Sequence, residues 1–342
     1  MAPLRVAVVG ASGETGGSIV TALLESPDQF EVIALVRPAS ISKPKIQEFQ
    51  KRGMKVVAAD VANSSEAELA KALEGVDTVV AAVDGFSLQH QIPLANAAKA
   101  AGVKRFIPNF FGPPSPRGIQ WIRDQKLAIL DYINQLYLGY TVVEVGWWQQ
   151  LIVPKLASGR ADHAQVLPLE ASPHTTIYGD GNVKIGLTHL RDIGRYVARI
   201  IADPRTLNKK VYVYGELATQ NEVVALMEKV SGEKIQMKHM SKEATLSAIA
   251  EAKAMGTAGV LARAASEYPL SWAIRGDSTP EHAAYLGFLD GKELYPDFKP
   301  TTLEEFFREV LGLGSREYEK PYGGNLDVEG LAKRAETYAE RA

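Results

Sequence analysis

Short apolar runs alternate with amphipathic stretches through the first 145 residues of the chain. The apolar runs predict six strands, at residues 4–9, 30–36, 55–58, 77–83, 103–108 and 140–145. The stretches between them predict helices, at residues 16–24, 45–51, 66–73, 88–101 and 118–137. Strands that are apolar on both faces and alternate with helices predict an α/β fold, in which a doubly wound parallel sheet is covered on both sides.

The alternation becomes less regular after Trp147, and Gly and Pro are scattered through residues 154–190. We predict a helix that begins with Asp192 as its N-cap and ends at Asp203. Further elements are predicted as a strand at 211–214 and helices at 220–231, 241–254, 258–267 and 302–311. This mixed α/β pattern predicts a smaller lobe over residues 151–342, from which a stretch near 186–205 returns to the first domain, residues 1–150.

A glycine-rich turn, G-x-x-G-x-x-G, connects the first predicted strand to the first helix. Its glycines allow a tight turn, a close approach of a pyrophosphate and close packing of the helix on the strand. The helix N-terminus then offers N–H groups and partial positive charge to phosphates. Such a turn also occurs without a ligand, but its place between a strand and a helix indicates a Rossmann-type dinucleotide-binding domain. The cofactor-binding residues predicted in the turn are Gly10, Ser12, Gly13, Glu14, Thr15 and Gly16.

The end of the second predicted strand distinguishes the two nicotinamide cofactors. A site for NAD needs an acidic residue there to bind the ribose 2′-hydroxyl, and this chain has Arg37 instead. The planar guanidinium suits a 2′-phosphate, and Lys43 and Lys45 follow closely. The alternative is a solvated surface arginine. We expect NADP(H), bound by Arg37 and Lys45 as well as by the turn.

A lysine interrupts the apolar face of the helix predicted at 118–137. That face is formed by Ile119, Ile122, Ile129, Leu130, Ile133 and Tyr137. Lys126 falls on it, where desolvation and a nearby nicotinamide cation would favour the neutral amine and suit it to general acid/base catalysis. The alternative is that Lys126 extends its ammonium group to the surface.

Composition narrows the function classes further. The formal net charge of −2, from 38 Lys and Arg against 40 Asp and Glu, argues against a nucleic-acid partner. The absence of cysteine excludes disulfides, thiolate metal sites and cysteine nucleophiles, and the six dispersed histidines predict no metal site. No apolar run approaches the roughly 20 residues that cross a bilayer. Met1–Arg5 leads directly into a strand pattern, so we expect a cytoplasmic protein without a signal peptide or membrane partner.

The chain resembles the NmrA-like and isoflavone-reductase-like family of atypical short-chain dehydrogenases, and is most similar to its fungal branch. The resemblance covers residues 4–150 and extends to 312. It is carried by the GASGETGG turn at 10–17, the segments 35–38, 103–112 and 139–141, and Lys126. It implies NADP(H) as cofactor, Arg37 as the 2′-phosphate arginine and Lys126 as the catalytic acid/base. Gln91 matches a glutamine that is common in the family before the fifth strand.

Two departures point away from the plant substrates of that family. Asn109 and Phe110 stand where the plant reductases have Ser-Glu, and the following loop, residues 113–117, is short and rich in proline. The fungal branch acts on diverse secondary metabolites. We add Ala82, Val83, Asn109, Phe110 and Lys126 to the predicted cofactor-binding set.

Aromatic residues dominate the predicted substrate side. Trp147 and Trp148 follow the sixth strand, and ligands of open α/β sheets bind at the carboxyl ends of the strands. With Phe111, His174 and Tyr178 they predict a binding site for a flat aromatic or polycyclic molecule in a mainly substrate-binding lobe. The alternative for each aromatic residue is ordinary core packing.

The sequence thus predicts an NADPH-dependent reductase that transfers hydride to an enone, carbonyl, imine or benzylic carbon, with Lys126 as general acid/base. One alternative is an NADP(H)-binding redox sensor without turnover. Another is a non-redox enzyme, such as a cyclase, that keeps the cofactor pocket. A small molecule is the expected partner, and a homodimer is left open.

Overall fold

The computed structural model describes residues 2–165, 172–318 and 328–341. The chain divides into two compact units. The first consists of Met1–Phe111, Asp124–Glu144 and Leu190–Val211. The second consists of Gly112–Arg123, Val145–His189 and Tyr212–Ala342.

The strands and helices of the described residues follow in chain order. The strands are β1 (Leu4–Val9), β2 (Phe30–Val36), β3 (Lys55–Ala58), β4 (Thr78–Ala81), β5 (Arg105–Ile107), β6 (Thr141–Glu144), β7 (Trp147–Trp148), β8 (Thr176–Tyr178), β9 (Ile185–Thr188), β10 (Lys209–Tyr212), β11 (Glu216–Ala218), β12 (Lys238–Met240) and β13 (Phe288–Asp290). The α-helices are α1 (Glu14–Leu24), α2 (Pro44–Lys51), α3 (Glu66–Ala72), α4 (Gln91–Ala100), α5 (Trp121–Gln135), α6 (Leu190–Ala202), α7 (Gln220–Ser231), α8 (Lys242–Ala254), α9 (Val260–Pro269), α10 (Pro280–Tyr285), α11 (Gly291–Leu294), α12 (Leu303–Val310) and α13 (Val328–Arg341).

A five-stranded parallel sheet forms the centre of the first unit, in the order β3-β2-β1-β4-β5. A parallel bridge from Phe106 to Tyr140 continues it toward β6, which is hydrogen-bonded to β10. The strand order reverses between β1 and β4, and in open α/β sheets ligands bind beside such a point. The predicted α/β, Rossmann-type fold is confirmed.

Helices bury both faces of this sheet. On one face, α3, α4 and α5 supply Leu69, Leu94 and Ile133, which are fully buried in one cluster with Val79 and Phe106. Truncating such a side chain to alanine typically costs about 2–5 kcal/mol of stability.

On the other face, α1 and α6 pack closely. The Ser18 hydroxyl donates to the carbonyl of Leu190 over 2.6 Å, and a Cβ atom at Gly194 would overlap the carbonyl of Ser18.

The second unit contains smaller sheets and a core of its own. β9 pairs with β7 in parallel and with β11 in antiparallel orientation, while β8 pairs in parallel with β12. Trp147, Trp272 and Phe306 lie in the core cluster. Trp272 belongs to a π-helical segment, Leu270–Arg275, which directly follows α9. Such segments are rare and often occur at functional sites.

Two local predictions are wrong. Asp192 is the third residue of α6 and not its N-cap, because β9 ends at Thr188 and the helix begins directly afterwards. Tyr137 does not share the buried face of α5. The helix ends at Gln135, and Tyr137 adopts a positive φ of 50° with 88% of its surface exposed.

Candidate active site

Backbone geometry explains the glycines of the turn after β1. Gly10 has a φ of +82°, and a Cβ atom there would overlap the carbonyl oxygen of Ala82, just past β4. A Cβ atom at Gly16 would overlap the carbonyl of Gly10. These two glycines are therefore required by the close approach of β1, β4 and α1, whatever is bound.

The N-terminus of α1 suits an anion. Gly13 is its N-cap and has no side chain that could satisfy the first-turn N–H groups. Gly13 is exposed, and the Lys45 ammonium group donates to its carbonyl over 3.4 Å. An uncapped helix N-terminus with a lysine beside it provides hydrogen-bond donors and positive charge for a pyrophosphate.

Arg37 directly follows β2 and is exposed. No hydrogen bond or ion pair of its guanidinium is found within the described residues. Asp60 lies near it, past the end of the neighbouring strand β3. The pKa of the Asp60 carboxyl is lowered mainly by a hydrogen bond from Asn63, and also by the charge of Arg37. Sequence reasoning found Arg37 but missed Asp60, because the pairing of β2 with β3 brings the two together.

Lys126 is buried on α5, with 9% of its surface exposed. Its ammonium group donates to the carbonyl of Phe110 over 2.9 Å. Ile129 and Ile133 are buried on the same helix. The alternative that the side chain extends to the surface is therefore not what the structure shows.

The segment that follows β5, residues 108–111, brings several predicted residues together. The Asn109 side chain donates to the carbonyl of Val83 over 2.5 Å, and the carbonyl of Phe110 binds Lys126. The backbone N–H of Asn109 donates to the side chain of Gln91 over 2.8 Å. From the sequence, Gln91 is only a match to a glutamine common in the family. Its contact with Asn109 depends on the packing of α4 beside β5, which no local pattern reveals.

The predicted substrate-binding residues Trp147 and Tyr178 meet around a residue that sequence reasoning missed. The rings of Trp147 and Trp272 are 5.2 Å apart, and those of Tyr178 and Trp272 are 6.1 Å apart. The indole nitrogens of Trp147 and Trp272 are buried and have no hydrogen-bond partner in the described part of the chain. Burial also raises the pKa of the Tyr178 hydroxyl.

His174 is 1% exposed and pairs through Nδ1 with the carbonyl of Val153 over 2.7 Å. Burial lowers its pKa to about 4, so the ring is neutral at physiological pH. Its Nε2 atom has no partner in the described ranges. Trp148 is half-buried in the second unit, and Phe111 is buried in the first.

The described residues contain no group of three or more histidine, aspartate or glutamate side chains that could hold a metal ion. None of their helices is both long and apolar enough to span a membrane.

Known proteins resemble this chain over almost its whole length. It is 46% identical over 321 residues to asnovolin J 5′,6′-dehydrogenase of Aspergillus novofumigatus, a match that covers 90% of this chain and 95% of that protein. It is 29% identical to a phenylcoumaran benzylic ether reductase of Ginkgo biloba, over 91% of this chain and all of the relative. These relatives confirm that the chain is an oxidoreductase.

Solved structures agree with the fold. The complex of leucoanthocyanidin reductase from Vitis vinifera with NADPH has a TM-score of 0.75 at 25% identity, covering 90% of this chain and 99% of that one. AtPrR2 with NADP+ and (+)pinoresinol has a TM-score of 0.74 at 26% identity, with the same coverage. The model of the NmrA-like family matches residues 4–307. The expected family is confirmed, and this chain belongs to the NmrA-like family.

Proposed function

We propose that this oxidoreductase transfers a hydride from NADPH to an electron-poor carbon of an aromatic or polycyclic substrate of the secondary-metabolite type, with Lys126 as general acid/base. The observation that carries the proposal is the burial of Lys126, on α5, with its ammonium group bonded to the Phe110 carbonyl in the segment that follows β5. That segment lies in the same unit as the glycine turn, and both leave the parallel sheet at the carboxyl ends of their strands.

The cofactor is NADP(H), as in the related solved complexes with NADPH and NADP+. The turn residues Gly10, Ser12, Gly13, Glu14, Thr15 and Gly16 would bind the pyrophosphate at the N-terminus of α1, while Arg37 and Lys45 add positive charge. Ala82, Val83, Asn109, Phe110 and Lys126 complete the proposed set. The bound nicotinamide supplies or accepts the hydride.

Lys126 would manage the proton that accompanies hydride transfer. As carbon accepts the hydride, negative charge develops on an attached oxygen or nitrogen, and an ammonium group can neutralise it by donating a proton. The carbonyl of Phe110 holds the Nζ atom at 2.9 Å and limits where that proton can point. A fixed donor in a buried setting contributes more than a mobile one in water.

The proposed substrate-binding residues are Phe111, Trp147, Trp148, His174 and Tyr178, to which we add Trp272. Their rings would bind flat apolar groups. The buried indole N–H groups of Trp147 and Trp272 are suited to donate to ketone or ether oxygens of such a substrate.

A second candidate is the same chemistry in the oxidative direction. The relative that is 46% identical is named a dehydrogenase, whereas the plant relatives are named reductases. In oxidation, hydride passes from substrate to NADP+ and a neutral Lys126 accepts the proton. Consumption of NADPH with aromatic enones, ketones and imines, set against formation of NADPH from their saturated counterparts, decides the direction.

The role of Lys126 is tested by replacing it with methionine, which keeps the length of the side chain. We expect Lys126→Met to lose about 10²- to 10⁴-fold in kcat but only a few-fold in NADPH affinity, because the proposed phosphate contacts of the glycine turn and Arg37 are unchanged. Lys99→Met is the matched control, since Lys99 also donates to a backbone carbonyl, that of Tyr137, over 3.0 Å, but is exposed. Equal activity of the two variants would remove Lys126 from the chemistry. NADPH binding by the wild type without any turnover would favour the sensor.

A further inference from the structure

The segment that follows β5 is fixed from three directions, all within the first unit. The N–H of Asn109 donates to Gln91 Oε1 over 2.8 Å, and the side chain of Asn109 donates to the carbonyl of Val83. One residue later, the carbonyl of Phe110 accepts from Lys126 Nζ over 2.9 Å. The position of the lysine ammonium group thus depends on where this segment lies.

Gln91 provides one of these three contacts from an apolar surrounding. It is the first residue of α4, has 1% of its surface exposed, and lies beside the fully buried Leu88 and Leu94. Both ends of its amide are used, because Nε2 donates to the carbonyl of Leu88 over 3.3 Å while Oε1 accepts from Asn109. A buried amide is costly unless it is bonded in this way. If this position served only to fill the core, leucine or methionine would be more favourable there than glutamine.

We propose that Gln91 is a positioning residue for Lys126. Its amide holds the backbone of Asn109, and the adjoining residue Phe110 presents its carbonyl to Nζ. The inference rests on the proposed function for its catalytic meaning. The contacts themselves connect Gln91 on α4 to Lys126 on α5 indirectly, through the N–H of Asn109 and the carbonyl of Phe110.

Loss of the amide leaves the Asn109 N–H without an acceptor, so the segment moves toward another partner. Phe110 then no longer holds Nζ in place. A misplacement of about 1 Å at a reacting group can cost up to about 10²-fold in rate. Asn109 and Phe110 belong to the proposed cofactor-binding set, so the affinity for NADPH should fall as well. It should fall by less than kcat, and by no more than about tenfold, because the phosphate contacts proposed for the glycine turn and Arg37 remain.

The test measures the chemical reactivity of Lys126 and needs no knowledge of the substrate. The full chain is treated with acetic anhydride, and the rate of acetylation of Lys126 is compared with that of Lys99 in the same sample by mass spectrometry. In Gln91→Met we expect the Lys126-to-Lys99 ratio to rise about tenfold, because an amine that loses a hydrogen bond to a carbonyl is released to react. Gln91→Glu keeps an acceptor for Asn109 and should return the ratio toward the wild type.

Asn96→Ala is the control on the same helix. It removes the hydrogen bond that Asn96 donates to Glu66 and the one that it accepts from the Tyr132 hydroxyl, and it leaves Asn109 untouched. An unchanged ratio in folded Gln91→Met, or an equal rise in Asn96→Ala, would overturn the proposal. If Gln91→Met does not fold, Gln91→Asn keeps an amide but withdraws it by one methylene, and the same rise is expected.

Failure of this inference and failure of the proposed function give different results. Acetylation reports the position of Lys126 whether or not the lysine takes part in catalysis, whereas the Lys126→Met variant decides the catalytic role. If both hold, Gln91→Met lowers kcat by a larger factor than it raises KM for NADPH. In the Lys126→Met background the same substitution should lower kcat no further.

Discussion

The cofactor edge of the first unit and the aromatic core of the second differ in what determines their residues. At the edge, backbone geometry determines which residues are allowed, because Gly10 and Gly16 have no room for a Cβ atom. The helix that follows them needs an anion or water at its N-terminus. In the aromatic core, side-chain packing decides, as Trp147, Tyr178 and Trp272 are placed by segments far apart in the chain. The first arrangement can tolerate few substitutions. The second can change its shape while the fold persists, which suits a family with varied substrates.

The largest effect on stability and cofactor binding is expected at the glycines that the backbone geometry requires. Gly10→Ala places a Cβ atom on the carbonyl of Ala82 and forces a positive φ on alanine. The strain and the overlap together should cost about 3 kcal/mol or more of stability and abolish measurable NADPH binding. Thermal unfolding and NADPH fluorescence measure both.

Gly53→Ala is the matched control for that substitution. Gly53 also has a positive φ, of 105°, but has open space around it. It should lose about 1–2 kcal/mol and bind NADPH as before. If Gly10→Ala behaves like Gly53→Ala, the close approach to Ala82 does not matter for the site.

A smaller effect is expected from charge at the same edge. Arg37→Asp removes a donor pair for the 2′-phosphate and adds a negative charge, so NADPH binding should weaken about 100-fold while NADH changes little. Asp60→Asn removes the neighbouring carboxylate and should strengthen NADPH binding a few-fold, which gives a change of opposite sign at the same place. Equal losses of NADPH and NADH affinity in Arg37→Asp would contradict the role of the arginine. Titration of cofactor fluorescence checks both variants.

The smallest effect concerns the second unit and depends on pH. The pKa of buried His174 is lowered to about 4, against about 6.5 in the unfolded chain. Since the unfolded state binds the proton more readily, the contribution of His174 to stability is constant well above pH 6.5 and falls as the pH drops through 6.5 toward 4. From about pH 7.5 to about pH 5.5 the loss attributable to this residue is about 1.4 kcal/mol.

Urea unfolding of His174→Asn beside the wild type isolates that loss. The variant should lose less stability on acidification than the wild type, by about 1.4 kcal/mol. His239→Gln is the control, because His239 is exposed. Identical pH dependence in His174→Asn and the wild type would show that His174 is not buried as described.

The difference between the two regions also explains which features could be predicted from the sequence. The alternation of apolar runs with helices predicted β1 to β6 with the correct order of elements, because strand and helix periods are local signals. Arg37 and the glycines followed from the same short segment. Lys126 was found because a charge on the apolar face of α5 stands out.

What the sequence did not reveal depends on contacts between distant segments. Asp60 meets Arg37 only through the pairing of β2 with β3, and Gln91 meets Asn109 only when α4 packs beside β5. Trp272 packs against Trp147 from a π-helical segment, which no hydrophobic periodicity in the sequence predicts. Asp192 was assigned as a cap because its residue type favours that position, yet the end of β9 fixed where α6 begins.

The central claim is that this chain transfers a hydride through NADP(H) and does not merely bind the cofactor. NADPH deuterated at C4 on the transferring face, incubated with the wild-type protein and an aromatic enone, tests it directly. We predict that deuterium appears on carbon in the product and that the single-turnover rate slows relative to unlabelled NADPH. We also predict that Lys126→Met slows deuterium transfer about 10²- to 10⁴-fold while Lys99→Met does not. A product formed without deuterium, or NADPH that binds tightly and is never consumed with any enone, ketone or imine in either direction, would contradict the account.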